Sequence, residues 1–245
     1  MSQLIDATTQ HVLIVVFLAT LFRSAFGFGE ALIAVPLLAL FIAAPVAVLV
    51  SITIAAVVVA QDWRKIHVRS AGWLVAASLF GIPVGLFFLR SNHQQAMKIG
   101  LAIFIIAFSV YSLLGRKPPE LKNDSKTWLL SCGFVAGVCR GAYGMNGPPL
   151  VVYGAMRRWS AQHFRATLQA YFLPASLIGM GGYWLAGLWV PAVTHYYLLC
   201  LPVLLPAVWL GRLVNHRLHG DAFLRYVYGV LAAIGVVLLV QSMHG

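Results

Sequence analysis

The chain has 245 residues, 61% of them hydrophobic and only 9% charged, with a mean hydropathy of +0.87. Soluble domains are about 45–50% apolar and about a quarter charged, so this composition excludes a soluble enzyme and points to a single membrane domain. The net charge of +11 would raise nucleic acid for a soluble protein, but the basic residues sit in short loops between apolar spans, as cytoplasmic loops do, and nucleic acid is not expected as a partner.

The first ten residues carry one charge, Asp6, with neither a basic stretch nor a small-residue cleavage site, so no cleavable signal is expected. Apolar segments then follow at 11–26, 30–42, 45–61, 71–90, 96–115, 128–142, 147–157, 166–187, 193–211 and 222–242. They predict an all-α polytopic membrane protein. Segments 11–26 and 30–42 flank Gly27-Phe28-Gly29. Segments 128–142 and 147–157 flank Gly144-Met145-Asn146-Gly147-Pro148-Pro149. At about 1.5 Å per residue these four are short for a hydrocarbon core of about 30 Å.

The two halves resemble each other. Arg23-Ser24-Ala25-Phe26-Gly27-Phe28 aligns with Arg140-Gly141-Ala142-Tyr143-Gly144-Met145. Gly81-Ile82-Pro83-Val84-Gly85 faces Leu204-Leu205-Pro206-Ala207-Val208, and Gln95-Ala96-Met97-Lys98 faces Ala222-Phe223-Leu224-Arg225. A duplication is expected, with repeat one at 1–116, repeat two at 124–245, and the polar, Pro-containing segment from Arg116 to Asp124 between them.

Charge placement sets the expected topology. If each Gly-broken pair is a re-entrant hairpin followed by three full spans, the second repeat is inverted. Arg64, Lys65, Arg69, Arg116, Lys117, Lys122, Lys126, Arg157, Arg158, Arg165, Arg212, Arg217 and Arg225 then fall inside, and only Arg90 and Lys98 outside. That is the positive-inside pattern, with both termini on the outer face. The rival, four ordinary crossings per half, scatters the positive loops over both faces.

Arg23 and Arg140 are the basic residues left outside the loops, at matching positions in the two repeats. A charge at membrane depth costs about 2.5 kcal/mol or more and marks a polar pathway. The alternative is that each caps the C-terminal carbonyls of its half-helix. Each glycine-rich break, at Gly27 and Gly29 and at Gly144 and Gly147, precedes a helix N-terminus whose free N–H groups favour an anion. Transporters with discontinuous helices build substrate sites in this way.

Glu30 is the expected acidic residue at membrane depth. It would be either a salt-bridge partner of Arg23 or Arg140, or a proton carrier. Asn146 holds nearly the matching place in repeat two, as a neutral donor. Arg165 is expected to snorkel at the interface. Gln169, a turn deeper, would reach the cavity or bond a neighbouring helix. The tryptophans at 63, 73, 128, 159, 184 and 189 read as interfacial anchors. His67, His163, His195, His216 and His219 show no ligand spacing. Cys132, Cys139 and Cys200 read as reduced core residues, and neither cofactor nor metal is expected.

On Gly27-Phe28-Gly29-Glu30-Ala31-Leu32-Ile33-Ala34-Val35-Pro36, Gly133-Phe134-Val135-Ala136-Gly137 and Gly144-Met145-Asn146-Gly147-Pro148-Pro149-Leu150, the sequence resembles the sulfite exporter TauE/SafE family of bacterial anion transporters. The resemblance implies export or uptake of sulfite or organosulfonates such as sulfoacetate and isethionate. Glu30 stands where many relatives carry a glycine or another small residue. The expected protein is a secondary anion transporter of the bacterial inner membrane. Its expected partners are a small anion, protons and the lipid bilayer, and a homodimer is allowed. A proton gradient is the expected energy source, because no nucleotide-binding Gly-x4-Gly-Lys motif is present. An uncoupled anion channel, or an uptake permease for another small carboxylate or oxyanion, is the alternative. An intramembrane enzyme is disfavoured, since no His-Glu-x-x-His, Ser–His or Asp–Asp pair occurs in the spans.

Overall fold

A computed structural model of the chain describes residues 7–29, 44–89, 94–114, 120–121, 125–143, 146–185, 187, 189, 191–218 and 220–243. Among these the regular structure is helical. The helices are α1 (Ala7–Phe26), α2 (Ala44–Asp62), α3 (Val68–Leu89), α4 (Gln94–Leu113), α5 (Lys126–Tyr143), α6 (Gly147–Met156), α7 (Ala161–Leu185), α8 (Pro191–Arg217) and α9 (Gly220–Met243), with a short 3-10 turn at Trp63–Lys65. Stretches long and apolar enough to cross a membrane occur at Val46–Lys65, Val68–Phe87, Val193–Arg217 and Ala222–Val240. Proline lies inside α3, α7 and α8, at Pro83, Pro174, Pro202 and Pro206. Membrane helices tolerate this because neighbouring groups take up the freed carbonyls.

Segment 30–42 lies outside the described residues; the other apolar segments read from sequence match these helices closely, with two informative exceptions. α7 begins at Ala161 rather than 166, because Ser160 caps it: its Oγ lies 3.5 Å from the His163 amide and 2.8 Å from His163 Nδ1. Hydropathy alone misses a polar first turn. α8 continues to Arg217, and one polar residue of its last turns is packed. Asn215, 1% exposed, donates through Nδ2 to the Ala25 carbonyl at 2.6 Å.

The chain forms two compact units, 1–66 with 165–217, and 67–164 with 218–245. Each unit draws on both halves of the sequence. In the first, α1, α2 and α8 share an apolar seam. Val12, Val16 and Ala19 meet Val50, Ile54 and Val58 and also Cys200, Leu204 and Val208. The i, i+4 spacing within each set places one stripe of each helix inward. Gly211 lets α8 approach α1, where an added Cβ would lie 2.7 Å from the Leu21 carbonyl.

In the second unit α3 packs along α5. Gly81 and Gly85 of α3 lie against Gly137 and Gly141 of α5, so that a Cβ at any of them would run into the facing backbone. Small residues at four-residue spacing are how membrane helices bring their backbones together. Phe80 and Phe87, exposed, occupy the outer side of the same helix. α4 pairs with α9, where Gly235 abuts Ile106.

Under the alignment of the halves, α1 corresponds to α5 and α3 to α8. The α1–α8 pair of one unit and the α3–α5 pair of the other are therefore the same pair with the halves exchanged.

Trp63, Trp73, Trp128, Trp184 and Trp189 are exposed near helix ends, as interfacial anchors should be. Trp159 is different, at 5% exposure. It lies edge-on to Tyr153 and Phe164 and is stacked on His67 at 5.1 Å. Its position between two polar segments resembles that of an anchor, but the turn between α6 and α7 folds it inward.

Candidate anion site

α1 ends where the backbone turns left-handed, at Gly27 (φ 84°) and again at Gly29 (φ 93°). A side chain at either φ is strained, so glycine is required there. The Gly27 amide still bonds the Arg23 carbonyl at 2.7 Å. The last helical turn thus carries Arg23 up to the break.

Arg23 is 4% exposed. Its Nε and Nη2 donate to the Gln169 amide oxygen at 3.2 and 3.0 Å, and its Nη1 donates to Ser51 Oγ at 2.6 Å. Ser51 Oγ lies 3.3 Å from Ser176 Oγ. The guanidinium carbon stands 5.2 Å from the centre of the Phe172 ring, a cation–π contact. Side chains from α1, α2 and α7 thus converge on one buried cation, and the hydrogen-bond acceptors just named are all uncharged.

The sequence offered helix capping as the alternative role for Arg23. Gln169 takes part of that role, since its Nε2 donates to the Gly27 carbonyl at 3.0 Å while its oxygen holds Arg23. Of the two roles expected of Gln169, the bond across helices is the one observed.

The residues expected to match Arg23 and its glycine break under the proposed duplication lie in the second unit. Arg140, partly buried, is in the last turn of α5. Asn146 is 8% exposed and precedes α6, which opens with Gly147, Pro148 and Pro149. It makes no side-chain capping bond, and its Nδ2 is buried without a hydrogen-bond partner among the described residues. A buried N–H left unmade costs about 1–3 kcal/mol. That donor sits beside the first turn of α6, where Pro148 and Pro149 carry no N–H. Gly144 and Glu30 lie outside the described residues, so the expected Glu30 bridge does too.

Arg165 overturns the expectation of a snorkelling anchor. It is 0% exposed and pairs with Asp62 at 2.5 Å. Asp62, at the end of α2, is 4% exposed and also accepts from Arg212 Nη2 at 2.9 Å. Glu30 is therefore not the sole acidic residue to consider inside the protein. The Asp62–Arg165–Arg212 cluster escaped sequence reasoning because each member borders a basic loop. The one available signal was an acidic residue placed just before Arg64 and Lys65 in a chain with six acidic residues.

The model of the family described as Sulfite exporter TauE/SafE matches residues 12–238. The chain belongs to the sulfite exporter TauE/SafE family. A Cupriavidus necator protein named "Probable sulfite/organosulfonate exporter TauE" is 24% identical over 183 residues, covering 74% of this chain and 70% of the relative. No solved structure matches the chain. Membership of the TauE/SafE family and the apolar helices make this a multi-pass membrane protein of a transporter family rather than of an enzyme family. The match covers both arginines, both glycine-rich breaks and the buried ion-pair cluster.

Proposed function

We propose that the protein is a secondary transporter for a small sulfur-containing anion, sulfite or an organosulfonate such as sulfoacetate or isethionate. It works in the bacterial inner membrane and is driven by the proton gradient. The observation that carries this reading is Arg23, buried at a glycine break and cradled by amide and hydroxyl oxygens. Such a cation can attract an anion at low dielectric, and hydroxyl and amide neighbours can shift to admit one. Gly27 and Gly29, with the N–H groups beyond them, and Glu30 complete the first half-site. Arg140, Gly144, Asn146 and Gly147 form a separate candidate in the second unit, where the orphaned Asn146 donor favours an oxyanion. Gln169 fixes Arg23 in the first.

The exchange of equivalent helix pairs between the two units supports a duplicated transporter. In the arrangement we favour, each repeat is a re-entrant pair followed by three spans and the second repeat is inverted, which allows alternating access.

The test is counterflow in proteoliposomes with sulfite, isethionate, sulfoacetate and acetate, using wild type, Arg23→Ala, Arg140→Ala and the double variant. Saturable counterflow of the sulfur anions, lost in Arg23→Ala, supports the reading. Flux without counterflow would mean a channel. Unchanged apparent affinity in both single variants would sink the site. If both arginines hold one anion, the double variant loses less than the two single losses combined.

A further inference from the structure

We infer that Arg165, locked by Asp62 and Arg212, is a positioning residue that fixes Arg23 and the Gly27 break. The inference rests on the reading of Arg23 as an anion ligand given above.

All three nitrogens of Arg165 are engaged by the protein. Nε donates to the Ser24 carbonyl at 2.5 Å, Nη1 to Asp62 Oδ2 at 2.5 Å, and Nη2 to Ser24 Oγ at 3.0 Å and Gln61 Oε1 at 3.3 Å. A guanidinium engaged at every nitrogen, with its own carboxylate, is poorly placed to bind a passing anion. It is well placed to hold direction, because the planar fork fixes the angle as well as the distance of what it grips.

What it grips is the end of α1. Ser24 is the residue after Arg23, and the fork holds both its carbonyl and its hydroxyl. Ser24 Oγ in turn donates to the Val208 carbonyl of α8 at 2.9 Å. The break itself rests on the same spot, since a Cβ on Gly27 would stand 3.0 Å from Arg165 Cα. One turn further along α7, Gln169 bonds both Arg23 and the Gly27 carbonyl. Three attachments from two successive turns of one helix therefore set the position of Arg23.

The other side of the fork is anchored just as firmly. Asp62, with a side chain 2% exposed, ties Arg165 to α2, and Arg212 takes the second carboxylate oxygen from α8. Misplacing a binding group by about 1 Å can cost about a hundredfold in function, so a clamp at this point has a kinetic consequence beyond stability.

The experiment uses the full chain in proteoliposomes with isethionate as the counterflow probe. Arg165→Lys keeps a positive charge for Asp62 but cannot grip Ser24 with a fork. The expected result is an apparent KM raised about ten- to a hundredfold, with a thermal midpoint in detergent close to that of wild type. Ser24→Ala, which leaves the carbonyl but removes the hydroxyl, should raise KM less and in the same direction. An Arg165→Lys variant with wild-type KM overturns the inference. So does a loss of flux that only tracks the loss of folded protein. If Arg165→Lys fails to fold, Ser24→Ala decides, and an unchanged KM there overturns it. Arg23→Ala separates the two claims. An unchanged KM in that variant defeats the anion-site reading itself. A raised KM there alongside a normal KM in Arg165→Lys defeats only the positioning role.

Discussion

Replacing Gln169 by glutamate separates charge from geometry at the Arg23 site. The native amide oxygen accepts two bonds from the guanidinium, at 3.2 and 3.0 Å. Gln169→Glu puts a carboxylate at that place. A substrate anion on the far side of the same guanidinium would lie about 6 Å from it, and at an effective dielectric near 20 the repulsion is about 3 kcal/mol. That is about a hundredfold in affinity. The change also costs the bond to the Gly27 carbonyl, so Gln169→Met is the uncharged comparison: it loses that bond and also the two bonds from Arg23, so any loss in Gln169→Glu beyond it is due to charge. Hydrogen bonds to charged groups are worth about 1.5–3 kcal/mol, and a loss of about tenfold is expected for this variant through a less well held Arg23. Competition of isethionate and sulfite in counterflow reads both variants, and circular dichroism checks that both remain folded. If Gln169→Glu binds anion as well as Gln169→Met does, the substrate does not share the Arg23 guanidinium, and the site must be sought elsewhere.

Asn146→Leu should leave thermal stability unchanged or slightly raised, because Asn146 Nδ2 has no hydrogen-bond partner to lose among the described residues. It should weaken anion binding, and unchanged affinity would show that the orphaned donor is not a ligand. Gly137→Ala drives a Cβ to within 2.8 Å of the Ser78 backbone carbon atoms and should destabilise by about 1–3 kcal/mol in a thermal melt. Gly100→Ala, with nothing within 4 Å, should be neutral or stabilising by up to about 1 kcal/mol. Equal effects would refute the close α3–α5 packing. Cysteines placed at Ser91 and Ser125 should label from opposite faces, with Ser125 cytoplasmic, and labelling from the same face would refute the inverted arrangement.

The helices were legible because membrane spans announce themselves by length and hydropathy, and their ends mostly fell where Gly27, Pro148 or Pro191 required. Arg23 was legible for an energetic reason: a cation that deep in an apolar stretch needs a polar partner. Its partner Gln169 was visible only as a polar residue one turn into a span, with two destinations open. Asp62, Arg165 and Arg212 were not legible as a cluster. Each lies at a span end, where snorkelling and burial look identical in sequence, and what separates them is whether a counter-charge from another helix arrives at the same depth. Residues 62, 165 and 212 come together only through tertiary packing. The exchanged helix pairs were hidden for a related reason, since a repeat visible along the chain says nothing about which half supplies the packing partner.

The two buried arginines of the first unit show how one helix can serve opposite purposes four residues apart. Arg165 meets a carboxylate that Arg212 also holds, so opening that contact would strand a charge, and removing one partner of a buried pair costs about 3–5 kcal/mol. Such a contact should persist through a transport cycle. On the proposed reading, the amide and hydroxyl that accept from Arg23 are partners an anion's oxygens would replace, one charge-assisted hydrogen bond for another. A transporter needs both kinds of contact close together: a fixed one to keep the broken helix in register and an exchangeable one to let the substrate come and go. On the proposed reading, the spacing of Arg165 and Gln169 on α7 puts the fixed contact one helical turn from an exchangeable one, with Gly27 at the end of α1 touching both.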